Sequence, residues 1–215
     1  TGKQIKALSY DELNALTANA FASINLSAII SLTNDQLSNL NESLAESFTA
    51  NQVALLNSTQ VGALSSGSLN LLLDSAISSI TPFAVYGLSA DQISGLSEDK
   101  SAFLTSSQLA EFNHSQIAAF SALALNNLAS TAIAAISASA VSGLKAQDLS
   151  EENASALTSS QLNQFNSEQI GNLSAVALSA LSTDALQAIT TTAIAGLNTE
   201  DLDEVSPSLL TTEQI

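Results

Sequence analysis

The stretch TSSQLAEFNHSQIAAFSALALNNLAS, residues 105–130, returns with few changes as TSSQLNQFNSEQIGNLSAVALSALST at residues 158–183. Both copies divide into eights that open on Thr, Asn or Ser and carry apolar residues at the fifth and eighth positions, with Gln or Ala at the fourth. Working outward, the same grid takes in TGKQIKAL (1–8), SYDELNAL (9–16), TNDQLSNL (33–40), TANQVALL (49–56), NSTQVGAL (57–64) and SADQISGL (89–96). It accounts for nearly the whole chain, and internal repetition on that scale marks an array of small units.

The first and fourth positions together spell Ser/Thr/Asn-x-x-Gln/Glu. That is the capping box, in which the first side chain accepts from an amide one turn on while the fourth reaches back to the first residue's own N–H. The pairs include Ser9 with Glu12, Thr33 with Gln36, Thr49 with Gln52, Asn57 with Gln60, Thr105 with Gln108, Asn113 with Gln116 and Thr158 with Gln161. A helix start every eight residues leaves room for only one or two turns, too little for a helix standing alone in water.

Two other readings fail on the same pattern. In one continuous helix, eight residues turn through roughly 800°, which is two turns and a further ~80°, so the apolar stripe would wander off any face. A β-solenoid calls for period-2 alternation, β-branched and aromatic enrichment and glycine-rich corners, whereas aromatics here are 4% of the chain and only 8 residues are glycine. The expected fold is all-α, a solenoid or superhelix of short capped helices in eight-residue units.

A longer period overlies the short one. TxxQ units recur at Thr1, Thr49, Thr105, Thr158 and Thr211, and 13-residue stretches, KAQDLSEENASAL (145–157) and NTEDLDEVSPSLL (198–210), close the third and fourth blocks. The chain therefore reads as a single array of blocks of about 48–56 residues: 1–48, 49–104, 105–157, 158–210, and the start of a fifth at 211–215. The simplest expectation makes each block one superhelical turn. Units with Ala at the fourth position (Ala124, Ala132, Ala177, Ala185 and others) should then approach other backbone closely, units with Gln should keep that position wet, and the fifth and eighth positions should line one continuous interior.

Composition narrows the function. Four lysines and no arginine stand against 20 acidic residues, a net charge of −16. That excludes nucleic-acid binding by phosphate neutralisation and opposes attachment to anionic membranes. No apolar run is long enough for membrane insertion. Without cysteine there is no disulfide scaffold, thiolate metal site or Cys nucleophile. Lys3, Lys6, Lys100 and Lys145 form no patch in the sequence, and Phe103, Phe112, Phe120 and Phe165 occupy or adjoin apolar slots, as core residues do.

The acidity has a structural explanation. Fourteen acidic residues, Asp11, Glu12, Asp35, Asp91, Glu98, Asp99 and Asp184 among them, fall at positions two to four of their units, where free amides and the helix dipole favour a carboxylate. A chain built of helix starts becomes acidic for that reason. The functional alternative is a ligand- or calcium-binding module using acidic residues near the block ends: Asp91, Glu98 and Asp99; Asp148, Glu151 and Glu152; Asp201, Asp203 and Glu204. Calcium takes six to eight oxygens from a tight loop, and no DxDxDG loop is present. No metal ligand, cofactor site or catalytic residue is assigned. His114 is the only imidazole and sits at a second, solvent-facing position, the serines are explained as caps, and the chain reads as a non-enzyme. Asn25, Asn41, Asn57, Asn113, Asn153 and Asn172 open Asn-x-Ser/Thr triplets, four of them as unit starts.

The stretches ALTANAFASI (15–24), LTNDQLSNL (32–40), FLTSSQLAEF (103–112), ALTSSQLNQF (156–165) and LLTTEQI (209–215) resemble the LTxxQIxxL-type short-helix repeat tracts of large secreted or surface-exposed bacterial proteins, adhesin-like ones included. The resemblance covers almost the whole chain and implies an extracellular or cell-surface location and a non-catalytic stalk, spacer or assembly surface. Neither end looks like the polar capping repeat that a solenoid calls for, so the expected partners are neighbouring repeats of a longer chain, or other copies through end-to-end self-association.

Overall fold

The computed structural model describes residues 1–205 and 207–215, and among these all side chains but those of Glu200, Glu204 and Pro207. Among the described residues the chain is entirely helical: 24 α-helices of four to six residues and three 3-10 turns, with no strand. Nearly every α-helix begins where the sequence places a cap; those that follow Leu73 and Ala129 start without one. At Thr105 the side chain accepts from the Gln108 amide, the Gln108 side chain returns to the Thr105 N–H, and Thr105 itself is extended (φ −85°, ψ 160°). All seven capping boxes read from the sequence form. Pro82 falls at the start of helix Pro82–Val85, where it has no amide to leave unpaired.

Helices end as regularly as they start. The eighth-position amide bonds the fifth-position carbonyl three residues back, as in Leu64 to Val61 at 3.2 Å and Phe112 to Leu109 at 3.3 Å. The extended cap of the next unit then turns the chain through a corner. No described residue has positive φ, so the corners need no glycine.

Each helix packs chiefly on the helix three places further along. Three units therefore complete a turn, and the array is a triangular prism with three faces. The first face is built from helices Gly2–Ala7, Leu26–Ile29, Ala50–Val53, Asp74–Ser79, Glu98–Ser101 and Ala122–Asn126, then the 3-10 turn Ala146–Asp148 and helices Ser167–Gly171 and Thr191–Ile194. The second face starts at Tyr10–Asn14 and the third at Ala18–Ala22.

This corrects the expected turn size. Side-chain bonds between turns join residues 22 to 31 apart, as from Ser130 to Glu152 and from Gln92 to the Val61 carbonyl, so a block spans about two turns. Motif recurrence in the sequence counts similar units, and it takes contacts to count units per turn.

Fifth and eighth positions line the interior as expected: Leu109, Phe112, Ile117, Phe120, Leu125 and Leu128 are all buried. Phe21 and Phe48, one turn apart, meet edge to face at 4.8 Å, and Phe112 and Phe120 stack at 5.9 Å. The axis is filled, with a void of only about 10 Å³ among Leu69, Ile77, Ile93 and Leu104. Phe103 departs from expectation. It stands at the seventh position of its unit and is 39% exposed.

Candidate functional site

The residues that recur most strictly are the fourth-position glutamines, and the structure buries them. Gln52, Gln108 and Gln161 are each 1% exposed, so the expectation of a wet position is overturned. The reason is the second half of the amide. With Oε1 taken by its own cap N–H, Nε2 points across to the preceding turn. Gln108 donates to the carbonyls of Ile77 at 2.8 Å and Ile80 at 2.7 Å. Gln36 reaches Ile5 and Leu8, Gln92 reaches Val61 and Leu64, and Gln116 reaches Val85 and Leu88. Carbonyls at a helix exit have no partner within the helix, and each glutamine supplies one from the next turn while capping its own helix.

Where glutamine is missing, other side chains substitute. Asn41, Ser97 and Ser150 begin units with Leu44, Lys100 and Asn153 at the fourth position, so nothing local takes their amides. Asn14, Asn70 and Asn126 of the preceding turn accept them, at 2.9, 2.8 and 2.9 Å. Asp148 stands where a glutamine would bond the Phe120 carbonyl, and as a carboxylate it has no proton to donate. Lys145 donates instead, its Nζ 3.1 Å from that oxygen. No described buried polar side-chain atom lacks a partner.

Both 13-residue closing stretches resolve into a five-residue unit beside an eight. The first contains the 3-10 turn Ala146–Asp148 and helix Glu151–Ser155; the second has helix Thr199–Glu204 and the 3-10 turn Pro207–Leu209. Turns that include such a unit are three residues shorter. Gln161 reaches back 28 and 25 residues, to Ile133 and Ile136, where Gln108 reaches back 31 and 28.

The fourth-position alanines Ala76, Ala124, Ala132, Ala177 and Ala185 are buried as well. Glycine pairs go further. A methyl group on Gly87 would lie 1.8 Å from the Ser58 carbonyl oxygen, and one on Gly196 would lie 1.9 Å from that of Ser167. Their partners across the turn, Gly62 and Gly171, face the Gly87 and Gly196 carbonyls.

The acidic residues stay separate. Among the described residues no three acidic or imidazole groups come together to hold a metal. Asp91, Glu98 and Asp99 lie in first turns of their helices. Glu151 and Glu152 begin helix Glu151–Ser155, beside an open hollow shared with Asn126, and Glu152 accepts from Ser130 at 3.0 Å. Asp201 turns inward to accept the Asn198 amide at 2.9 Å, while Asp203 is exposed. The Glu204 side chain lies outside the described residues. The Glu12 carboxyl is held below the ordinary range, by the N–H and then the hydroxyl of Ser9.

His114 is exposed, with Nδ1 2.9 Å from the Ser142 hydroxyl one turn on. Of the six Asn-x-Ser/Thr asparagines, Asn25, Asn41, Asn57 and Asn113 accept cap amides, Asn153 is buried on the Leu125 carbonyl, and Asn172 is exposed. The cap half of the glutamine's role is written in the local spacing. No sequence signal gives the cross-turn half, because the accepting residues lie some thirty positions away.

No family model matches the sequence, and comparison with curated proteins returns no match.

Proposed function

We propose that this chain is a non-catalytic structural segment, a stalk, spacer or assembly surface, of an extracellular bacterial protein. The observation that carries this reading is the glutamine ladder. The polar side chains that recur in the repeat are committed to holding one turn on the next, which sets a fixed pitch along the axis. A protein whose repeated polar groups go into pitch is suited to bearing length. The absence of cysteine and methionine suits exposure to an oxidising exterior, and neighbouring repeats of a longer chain, or other copies meeting end to end, are the natural continuation of such a ladder.

Small-angle X-ray scattering at low concentration tests the reading. Eight to nine turns stacked about 9 Å apart make a rod roughly 80 Å long, with a radius of gyration near 25 Å, against ~17 Å for a compact globule of this length. A value near the lower figure ends the spacer proposal. Calcium titration followed by calorimetry and thermal melting is expected to give neither heat nor a shift. A saturable signal would assign a binding role instead.

A further inference from the structure

The three faces of the prism differ in kind. Of the twelve described large apolar side chains left exposed, none lies on a helix of the third face, whereas the first carries Leu26, Ile30, Leu55, Leu73, Phe103 and Leu123 on five successive layers. The lysines that are scattered in sequence also share this face: Lys3 and Lys6 on its first layer, Lys100 on its fifth and Lys145 at the start of its seventh. The other two faces hold twelve described acidic residues and no lysine. In a molecule of charge −16, this is the face that repels another copy least.

Charge is also graded along it. The first three layers contain Lys3 and Lys6 and no acid; Asp74, Glu98, Asp99, Asp148 and Glu168 all belong to the fourth to eighth. Asp74 is neutralised by Lys100 at 2.6 Å, and the Lys145 ammonium is spent on a carbonyl. One half of the face is thus cationic and the other anionic, and both are apolar.

We infer that two copies of this chain pair antiparallel through the first face, about a two-fold axis at the fourth layer, where Leu73 meets its equivalent. That axis sets Leu26 and Ile30 against Leu123, Leu55 against Phe103, and Lys3 and Lys6 against Asp148. No acidic layer then faces an unneutralised acidic layer. A parallel pair would set every acidic layer on itself, and like charges in register are a strong discriminator between arrangements. From the first layer to the seventh, six spacings of about 9 Å across a face about 15 Å wide offer ~800 Å², the area a stable interface takes from each partner. The pairing does not depend on the spacer reading: shape at low concentration tests one and mass at high concentration the other.

Sedimentation from about 1 µM to about 1 mM spans the affinities such an interface commands. The expected result is a rise from 22.0 kDa to twice that mass. Leu123→Asp, at a side chain 66% exposed that the pairing sets against Leu26 and Ile30, should weaken pairing at least ~tenfold, as for an apolar contact residue of an interface. Ser160→Asp on the third face should leave it unchanged. Lys3→Glu with Lys6→Glu should weaken it too, most at low salt. Far-UV circular dichroism confirms that each variant is folded. The chain has no cysteine, so Leu73→Cys should oxidise to a covalent dimer and Ile30→Cys alone should not. A monomer throughout, a dimer indifferent to both Leu123→Asp and the lysine pair, or crosslinking through Ile30→Cys overturns the inference. So does a monomer whose first face takes up a cationic amphipathic peptide instead.

Discussion

Glutamine at the fourth position performs two tasks with one amide, and the tasks separate by substitution. Gln108→Ala removes the cap acceptor and leaves the Ile77 and Ile80 carbonyls buried without their donor, and orphaned buried groups cost about 1–3 kcal/mol each. Gln4, on the first turn, is exposed and serves only its own cap, so Gln4→Ala should cost about 1 kcal/mol or less. Urea unfolding of the two variants measures the difference, expected as about 2 kcal/mol or more. Gln108→Glu should fare no better than alanine, because the carboxylate keeps the cap and brings an acceptor against two acceptors. Glu12 adds a pH dependence of known sign. Its folded pKa lies below the ordinary carboxylate value, so the cap contributes fully above the unfolded value near pH 4.5 and is lost as pH falls through the folded one. An NMR titration of Glu12 should show the depressed midpoint in wild type and one only partly restored toward the ordinary value in Ser9→Ala, which removes the hydroxyl but keeps the backbone N–H.

At the scale of elements, the same substitution has opposite outcomes at two glycines. Gly87→Ala drives a methyl group into the Ser58 carbonyl across the turn, and both sides of that contact are backbone that cannot swing aside. A loss of about 3 kcal/mol or more is expected, in the range of severe overpacking. Gly67, inside helix Ser66–Leu71, has only the Ser65 hydroxyl near, at 3.7 Å, and Gly67→Ala should gain up to about 1 kcal/mol. Thermal melting of the pair decides. Existence, length and caps of the helices were legible in the sequence because each is decided within eight residues. The turn was not: three units per turn follows from how wide a corner an extended cap makes and how closely Ala76, Ala84 and Gly87 let layers approach, and neither is a periodicity. The five-residue units escaped for a related reason. KAQDL (145–149) keeps the apolar closing residue but lacks the cap, so by spacing it merges with the unit that follows.

The whole molecule buries its core well for an array: its 9829 Å² of exposed surface is close to the ~9,300 Å² expected of a compact protein of this mass. Contacts nevertheless run mainly from each turn to the next, and such arrays lose stability locally. Hydrogen exchange should register this. In Gln108→Ala, amides of residues 73–112 should exchange faster while those of residues 9–24 keep their wild-type rates. Uniform acceleration would mean that the array unfolds as one body. What the sequence left illegible at this scale is the sorting of side chains among faces. Lys3 and Lys100 lie 97 positions apart and become neighbours in kind only once every third helix is known to stack.

The ladder also has a direction. Gln36, Gln52, Gln92, Gln108, Gln116 and Gln161 all donate to residues earlier in the chain. A polypeptide leaving a ribosome or an export channel amino end first therefore presents each new glutamine to a turn already outside and already shaped. Each glutamine unit that emerges closes another rung, so folding can ratchet forward at the exit, with the growing prism opposing backsliding of the strand still inside.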